Sequence, residues 1–266
     1  MNDSVLLTRS GRVATLTLNR PAARNAFSSV AQFDAFANAL QSIDHDDGVS
    51  VLILTGAGSS FCAGGDVKDM QARTGFAAGT PLELRDTYRR AVQRTVKLLY
   101  DLEMPTIAAV NGPAIGLGCG IASACDIRIA ADGARFAESF IRLGLIPGDG
   151  GAWFMPRLVG VSKASELLFT GDTIDAAEAE RIGLVSRVVP ADRLLQAAGE
   201  LAGRIAAQPP RALRMTKRLI REAQRAPLDT IFELSASFQA LAQRSDDHQE
   251  AVTAATEKRA GTFTGQ

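Results

Sequence analysis

The sequence predicts an α/β fold with a helical C-terminal part, and three observations carry that prediction. VSVLILTG and TIAAVNG are short, continuous apolar runs of the kind found in strands buried on both faces. Segments with helical spacing alternate with them through the first half of the chain. After about Ser162 the pattern turns almost wholly helical, with LVSRVV as the only clear strand.

Taken in order, VLLTR and RVATLTLN alternate apolar and polar residues and meet at Ser10-Gly11, which predicts a hairpin. NRPAARN breaks the pattern, and VAQFDAFANALQSI then follows Ser28 and Ser29, either of which can cap a helix. VSVLILTG is the first buried strand. A helical stretch from about Pro81 to Leu102 leads into TIAAVNG, and CDIRIAA reads as a third strand. KASELLF, DAAEAERIG, ADRLLQAAGELAGRIAA, RALRMTKRLIREAQ and LDTIFELSASFQALAQ are helical in period. RTGFAAGTP, with two glycines and a proline, reads as a mobile loop. The expected division is a core over 1–200 and a helical region over 201–266.

A chain of 266 residues with 46% apolar content is long enough for one sizeable core. Lys+Arg and Asp+Glu balance at 29 each, which argues against a broad nucleic-acid surface. There is no signal-type apolar core near the start and no stretch of about 18 apolar residues, so the expectation is a cytoplasmic protein without a membrane span. Cys62, Cys119 and Cys125 lack metal-site spacing and read as reduced core residues. His45 and His248 sit in polar segments, and no metal site is expected.

Two strands end in glycine-containing turns that run into helical sequence: LTGAGSSFCAGGDVKDM and AAVNGPAIGLGCG. Glycine lets a backbone approach a ligand, and helix N-termini present unpaired N–H groups. Two such amides converging would stabilise an oxygen that becomes negative during a reaction. Neither turn matches a dinucleotide fingerprint or a P-loop.

FCAGGDVKDM, IAAVNGPAIGLGCGIASACDIRIA and RLGLIPGDGGAWFMPRLVG resemble, in this order, the enoyl-CoA hydratase/isomerase (crotonase) family. LFTGDTIDAAEAERIGLVSRVVP and the terminal EKRAGTF extend the likeness to nearly the whole chain. The resemblance implies a crotonase-like spiral of ββα units with a helical C-terminal trimerisation region. It also implies a homotrimer or dimer of trimers and an acyl-CoA thioester substrate, with coenzyme A part of that substrate and no separate cofactor. It places the two oxyanion-hole amides on Gly65 and Leu117, the second at a position usually held by glycine. Ala63, Gly65, Asp66, Val67 and Lys68 match the CoA-contacting loop, with Asp66 also supporting the turn. Arg24 and Lys258 are candidates for CoA phosphate contact. Leu117, Phe140 and Trp153 are expected to line an apolar acyl pocket.

The residues depart from the family where its hydratases carry two glutamates: those positions are Gly120 and Phe140. Glu138 is near the second and is expected to face solvent; Asp126 reads as a structural acid. Isomerase-type members carry a single acid in the loop matching IPGDGG, aligned with Gly148, one residue before Asp149. Asp149 is therefore read as the base of a double-bond shift, with helix capping as the competing role. An apolar pocket would raise its pKa and a helix N-terminus would oppose that. The alternatives are a hydratase with an altered acid set, using Asp149 or Glu138, and a non-catalytic acyl-CoA binder.

Overall fold

The computed structural model describes residues 4–266. Its N-terminal hairpin is β1 (Val5–Ser10) and β2 (Val13–Leu18), antiparallel and turning at the expected Ser10-Gly11 corner. Ser29 caps α1 (Val30–Asp44) in a capping box with Gln32. β3 (Val51–Gly56) follows, then the short α2 (Val67–Ala72), which starts on an Asp66 cap. In the segment expected to be a loop, Gly75–Ala77 forms one 3-10 turn. The helical stretch expected from Pro81 consists of α3 (Pro81–Tyr88), a π-helical turn Arg89–Gln93, and α4 (Arg94–Asp101).

β4 (Thr106–Val110), β5 (Ala114–Ile115), α5 (Leu117–Ala124), β6 (Ile127–Ala131) and β7 (Arg135–Ala137) come next. A 3-10 segment, Ser139–Leu143, leads to α6 (Gly151–Val159) and α7 (Val161–Thr170). The chain continues through β8 (Ile174–Asp175), α8 (Ala176–Arg181), β9 (Arg187–Val189) and α9 (Leu194–Ala206). It ends with α10 (Pro210–Glu222), α11 (Leu228–Gln243) and α12 (Asp246–Glu257), the last not anticipated from periodicity.

The main sheet has the order β1-β2-β3-β4-β6-β9, parallel from β2 onward, and a small second sheet has the order β5-β7-β8. Period two sorts the central strands between two cores. Leu52 and Leu54 of β3 join the large cluster with α1, α4 and α5, whereas Val51 and Ile53 face Leu194, Ala198 and Ala202 of α9. The sheet is thus covered on both faces, which is why its strands read as unbroken apolar runs. The division expected at 200/201 falls inside α9, which packs on β3, β4 and β6.

α10 is tied back to the core by a polar cluster in which the buried Lys217 meets the partly exposed Asp126 side chain. Asp126 accepts from the Thr106 N–H at 2.8 Å and the Thr106 hydroxyl at 2.9 Å, and pairs with Lys217 at 2.7 Å and Arg221 at 3.1 Å. Asp126 is structural, as expected. The three cysteines are buried and unpaired.

Candidate active site

Two turns meet beyond the C-terminal ends of β3 and β4. The first is set by Asn25, which donates to the carbonyls of Ala57 at 2.9 Å and Ser60 at 2.8 Å and accepts from the Arg20 N–H at 2.8 Å. These bonds hold the NRPAARN turn against the loop that follows β3. The Ala63 N–H donates to the Arg24 carbonyl at 3.0 Å, and the Phe27 N–H donates to the Gly64 carbonyl at 2.8 Å. The second turn is joined to the first by the Ile115 N–H donating to the Cys62 carbonyl at 2.9 Å. A Cβ placed on Gly64 would lie 3.6 Å from the Leu117 nitrogen, so the loops carrying Gly65 and Leu117 are in contact. Among the described residues neither the Gly65 nor the Leu117 amide has a protein acceptor. Leu117 opens α5, where first-turn N–H groups lack intrahelical partners.

Asp149 lies against Gly120, three residues past Leu117 on α5. A Cβ on Gly120 would be 2.1 Å from Asp149 Oδ2, so the carboxylate occupies the space a side chain at 120 would need. Its Oδ1 accepts from the Gly151 N–H at 3.1 Å at the start of α6, while Oδ2 has no partner. The N-cap of α6 is Gly150, so Asp149 holds the turn into the helix through one oxygen without being its cap, and the other oxygen is uncommitted. The residue is 2% exposed. Burial pushes its carboxyl up from 3.8 to about 6, and the Gly151 N–H holds it from rising further.

Glu138 corrects the sequence reading. It is 2% exposed rather than solvent-facing, and neither carboxyl oxygen has a hydrogen-bond partner. A Cβ on Gly151 would fall 2.8 Å from its Oε2, so Glu138 and Asp149 meet across Gly151. Burial first, then the charge of Asp149, drives the Glu138 carboxyl well above the ordinary carboxylate range. The sequence carried no periodic signal for this, since Phe136, Ala137 and Glu138 are buried in succession and burial does not alternate here. Two further neighbours were missed. Tyr88, half-buried at the end of α3, has its phenol pushed up by burial and then by Asp149 and Glu138. The buried Cys119 thiol, pushed far up by burial foremost, stands alongside Glu138 without hydrogen-bond geometry to either oxygen.

The remaining candidates are placed unevenly. Arg24 is exposed in a left-handed turn, with its carbonyl bonded to Ala63. Val67 and Lys68 are exposed at the start of α2, and Asp66 accepts from the Lys68 N–H at 2.8 Å, supporting that turn as expected. Lys258 is exposed just past α12, and among the described residues no contact joins it to Arg24 or Lys68. Phe140 lies against Gly116, at the mouth of the Leu117 turn, where a Cβ would be 3.5 Å from its ring; Leu117 itself is buried. Trp153 stands in the first turn of α6. It is 36% exposed, edge-on to Tyr100 and Phe154, and covered by Arg157 at 4.0 Å. α6 aims it at the C-terminal end of α4. Among the described residues no cluster of His, Cys, Asp and Glu has the makings of a metal site, and no helix is long and apolar enough to cross a membrane.

Residues 8–266 match the family model described as enoyl-CoA hydratase/isomerase. The chain is 39% identical over 255 residues to the 1,2-epoxyphenylacetyl-CoA isomerase of Escherichia coli, covering 96% of this chain and 95% of that one. It is 37% identical over 262 residues to the crotonyl-CoA hydratase of Syntrophomonas wolfei, covering 98% of both. A crystal structure of enoyl-CoA hydratase from Bacillus anthracis superposes with a TM-score of 0.93 at 34% identity, covering 99% of this chain and 100% of that one. The fold is the crotonase fold, and the chain belongs to the enoyl-CoA hydratase/isomerase family.

Proposed function

We propose that this family member shifts the double bond of an enoyl-CoA through a thioester enolate, with Asp149 as its base. The observation that carries the reading is the Asp149 Oδ2 atom: buried, without a partner, and filling the space above Gly120 where the family's hydratases place their first glutamate. The acid is supplied from the loop before α6 instead of from α5. Its pKa of about 6 leaves it mostly ionised at neutral pH and still able to hold a proton transiently.

In the reaction, the thioester oxygen of a 3-enoyl-CoA accepts from the Gly65 and Leu117 amides. Asp149 removes a proton from C2, and the electron pair delocalises over the thioester and the C3–C4 double bond. Asp149, whose acid proton exchanges with solvent, returns a proton at C4, leaving the double bond between C2 and C3 and Asp149 ionised again. The two amides stabilise the negative oxygen between those steps. Phe140 and Leu117 would border the acyl chain, and Arg24, Lys68 and Lys258 are the cations available to coenzyme A phosphates. Exposed apolar residues, among them Phe169 and Phe232, fit assembly as a homotrimer or a dimer of trimers.

A second reading, hydration of a 2-enoyl-CoA, is favoured by the buried Glu138 carboxyl next to Asp149, since water addition uses one acid and one base. The helical wheel favours the first. At about 100° per residue, Gly120 lies about 60° from Leu117 around α5, whereas Cys119, which Glu138 accompanies, lies about 160° away. On this reading Glu138 stands behind Asp149 as seen from the two amides.

The test is incubation with 3-enoyl- and 2-enoyl-CoA thioesters in deuterated water, reading mass and double-bond position together. Bond migration with deuterium at C2 or C4 is the expected outcome. Water addition without migration would select the hydratase reading, and neither change despite CoA binding would leave a binding protein.

A further inference from the structure

Glu138 takes no part in the one-base reaction, yet it is a carboxyl group buried to 2% exposure with two oxygens that bond to nothing. Its backbone position is rigidly specified. It follows β7, whose Ala137 carbonyl accepts from the Gly116 N–H at 2.7 Å, and this ties it to the turn that starts α5. Its carboxyl abuts the Cα of Gly151, with Oε2 and Oε1 at 2.8 Å and 3.0 Å from where a Cβ would be. The same Gly151 donates its N–H to Asp149. A side chain at 151 would thus collide with the Glu138 carboxyl, while the backbone N–H of the same residue serves Asp149.

The titratable groups that face Glu138 are Asp149 from the loop before α6, Cys119 from α5 and, across the cluster, Tyr88 from α3; none is a cation. Two adjacent buried carboxyls without a cation do not both ionise. The structure also says which one keeps the proton. Asp149 accepts an N–H at the start of a helix, which favours its charged form, and Glu138 accepts none.

We propose, resting on the reading of Asp149 as the base, that Glu138 is its positioning residue: it keeps a proton behind Asp149, so the pair carries one negative charge when the base is ready and none after it has taken the substrate proton. Loss of the Glu138 proton places a second charge beside Asp149 and beside the enolate that forms in the same pocket, and turnover stops. The cluster then has an active window, bounded below by protonation of Asp149 and above by ionisation of Glu138, each boundary belonging to the coupled pair.

Two experiments test this. The first needs no turnover: 13C NMR titration of the ligand-free protein labelled at Asp and Glu side-chain carboxyls, with signals assigned by Glu138→Gln and Asp149→Asn. Asp149 should ionise first, with Glu138 still neutral at pH 7. Glu138 ionised at that pH, or before Asp149, overturns the proposal. The second is the pH profile of kcat/KM. The wild type should give a bell, and Glu138→Gln, a neutral isostere, should lose the alkaline limb while the acid limb stays near 6. An unchanged bell overturns the proposal. So does a variant inactive at every pH that still binds CoA thioesters, because Glu138 would then transfer a proton itself. A wild type that turns over no enoyl-CoA refutes the enzymatic reading alone, and the NMR titration still decides the protonation order.

Discussion

Replacing Asp149 with asparagine should trade activity for stability in a way that depends on pH. The folded protein raises this carboxyl from 3.8 to about 6. The unfolded chain therefore releases its proton first as pH rises, and the folded state binds more protons between those values. Stability contributed by the neutral form is complete below 3.8 and is lost as pH rises through about 6. At about 1.4 kcal/mol per unit, the full loss is about 3 kcal/mol, of which about 2 kcal/mol falls between pH 4.5 and 7.5. Asparagine does not titrate, so its variant escapes this loss. The amide keeps an acceptor for the Gly151 N–H but buries an NH2 where Oδ2 had no partner, a pH-independent cost of about 1–3 kcal/mol. The difference between the two proteins at two pH values cancels that cost. Urea unfolding at fixed protein concentration should therefore show Asp149→Asn gaining about 2 kcal/mol on the wild type between pH 4.5 and 7.5. Parallel curves for the two proteins would refute the claim that a buried, titrating carboxyl occupies this site.

Three further outcomes follow from the same geometry. Gly120→Ala puts a methyl 2.1 Å from Asp149 Oδ2 and must displace the carboxylate; turnover should fall about 100-fold, with CoA-thioester affinity by calorimetry held within about threefold. The kcat/KM for bond migration should rise with pH through about 6, as Asp149 ionises, and Asp149→Asn should remove that limb along with the activity. Asp126→Ala leaves Lys217 and Arg221 without their shared carboxylate and should cost about 3–5 kcal/mol in chemical unfolding, with α10 losing its hydrogen-exchange protection first.

Periodicity made the main strands legible because β3 and β4 are covered on both faces and so carry unbroken apolar runs. It failed for β5, β7 and β8, which span two or three residues each and are held by pairing across the fold rather than by local pattern. α12 was missed because its polar sequence, DDHQEAVTAATE, is capped by Ser245 and buries only Asp247 and Ala254. At the site, the loops carrying Gly65 and Leu117 come into contact through turns written in glycine. Side-chain direction was not legible in the motifs. Trp153 is separated from Asp149 by Gly150, Gly151 and Ala152, and the first turn of α6 carries it to the Tyr100 side. Glu138 reads as a surface acid because charge alone says nothing about enclosure; only the partners of Gly151 reveal it.

Relatives of nearly equal similarity carry names from two reaction classes, an isomerase at 39% and a hydratase at 37% identity, so overall likeness does not choose between them. The choice rests on where the acids stand. A glutamate at 120 and the Asp149 carboxylate need the same volume, so the two arrangements exclude each other. The present site keeps two carboxyls but moves both: one advances from the loop before α6 into the space over Gly120, and the other is enclosed behind it across Gly151. Gly120 and Gly151 are each the absence of a side chain that a neighbouring acid requires. With glycine at 120 the volume over α5 is open to the Asp149 carboxylate, and on the proposed reading a single base backed by a neutral partner works there.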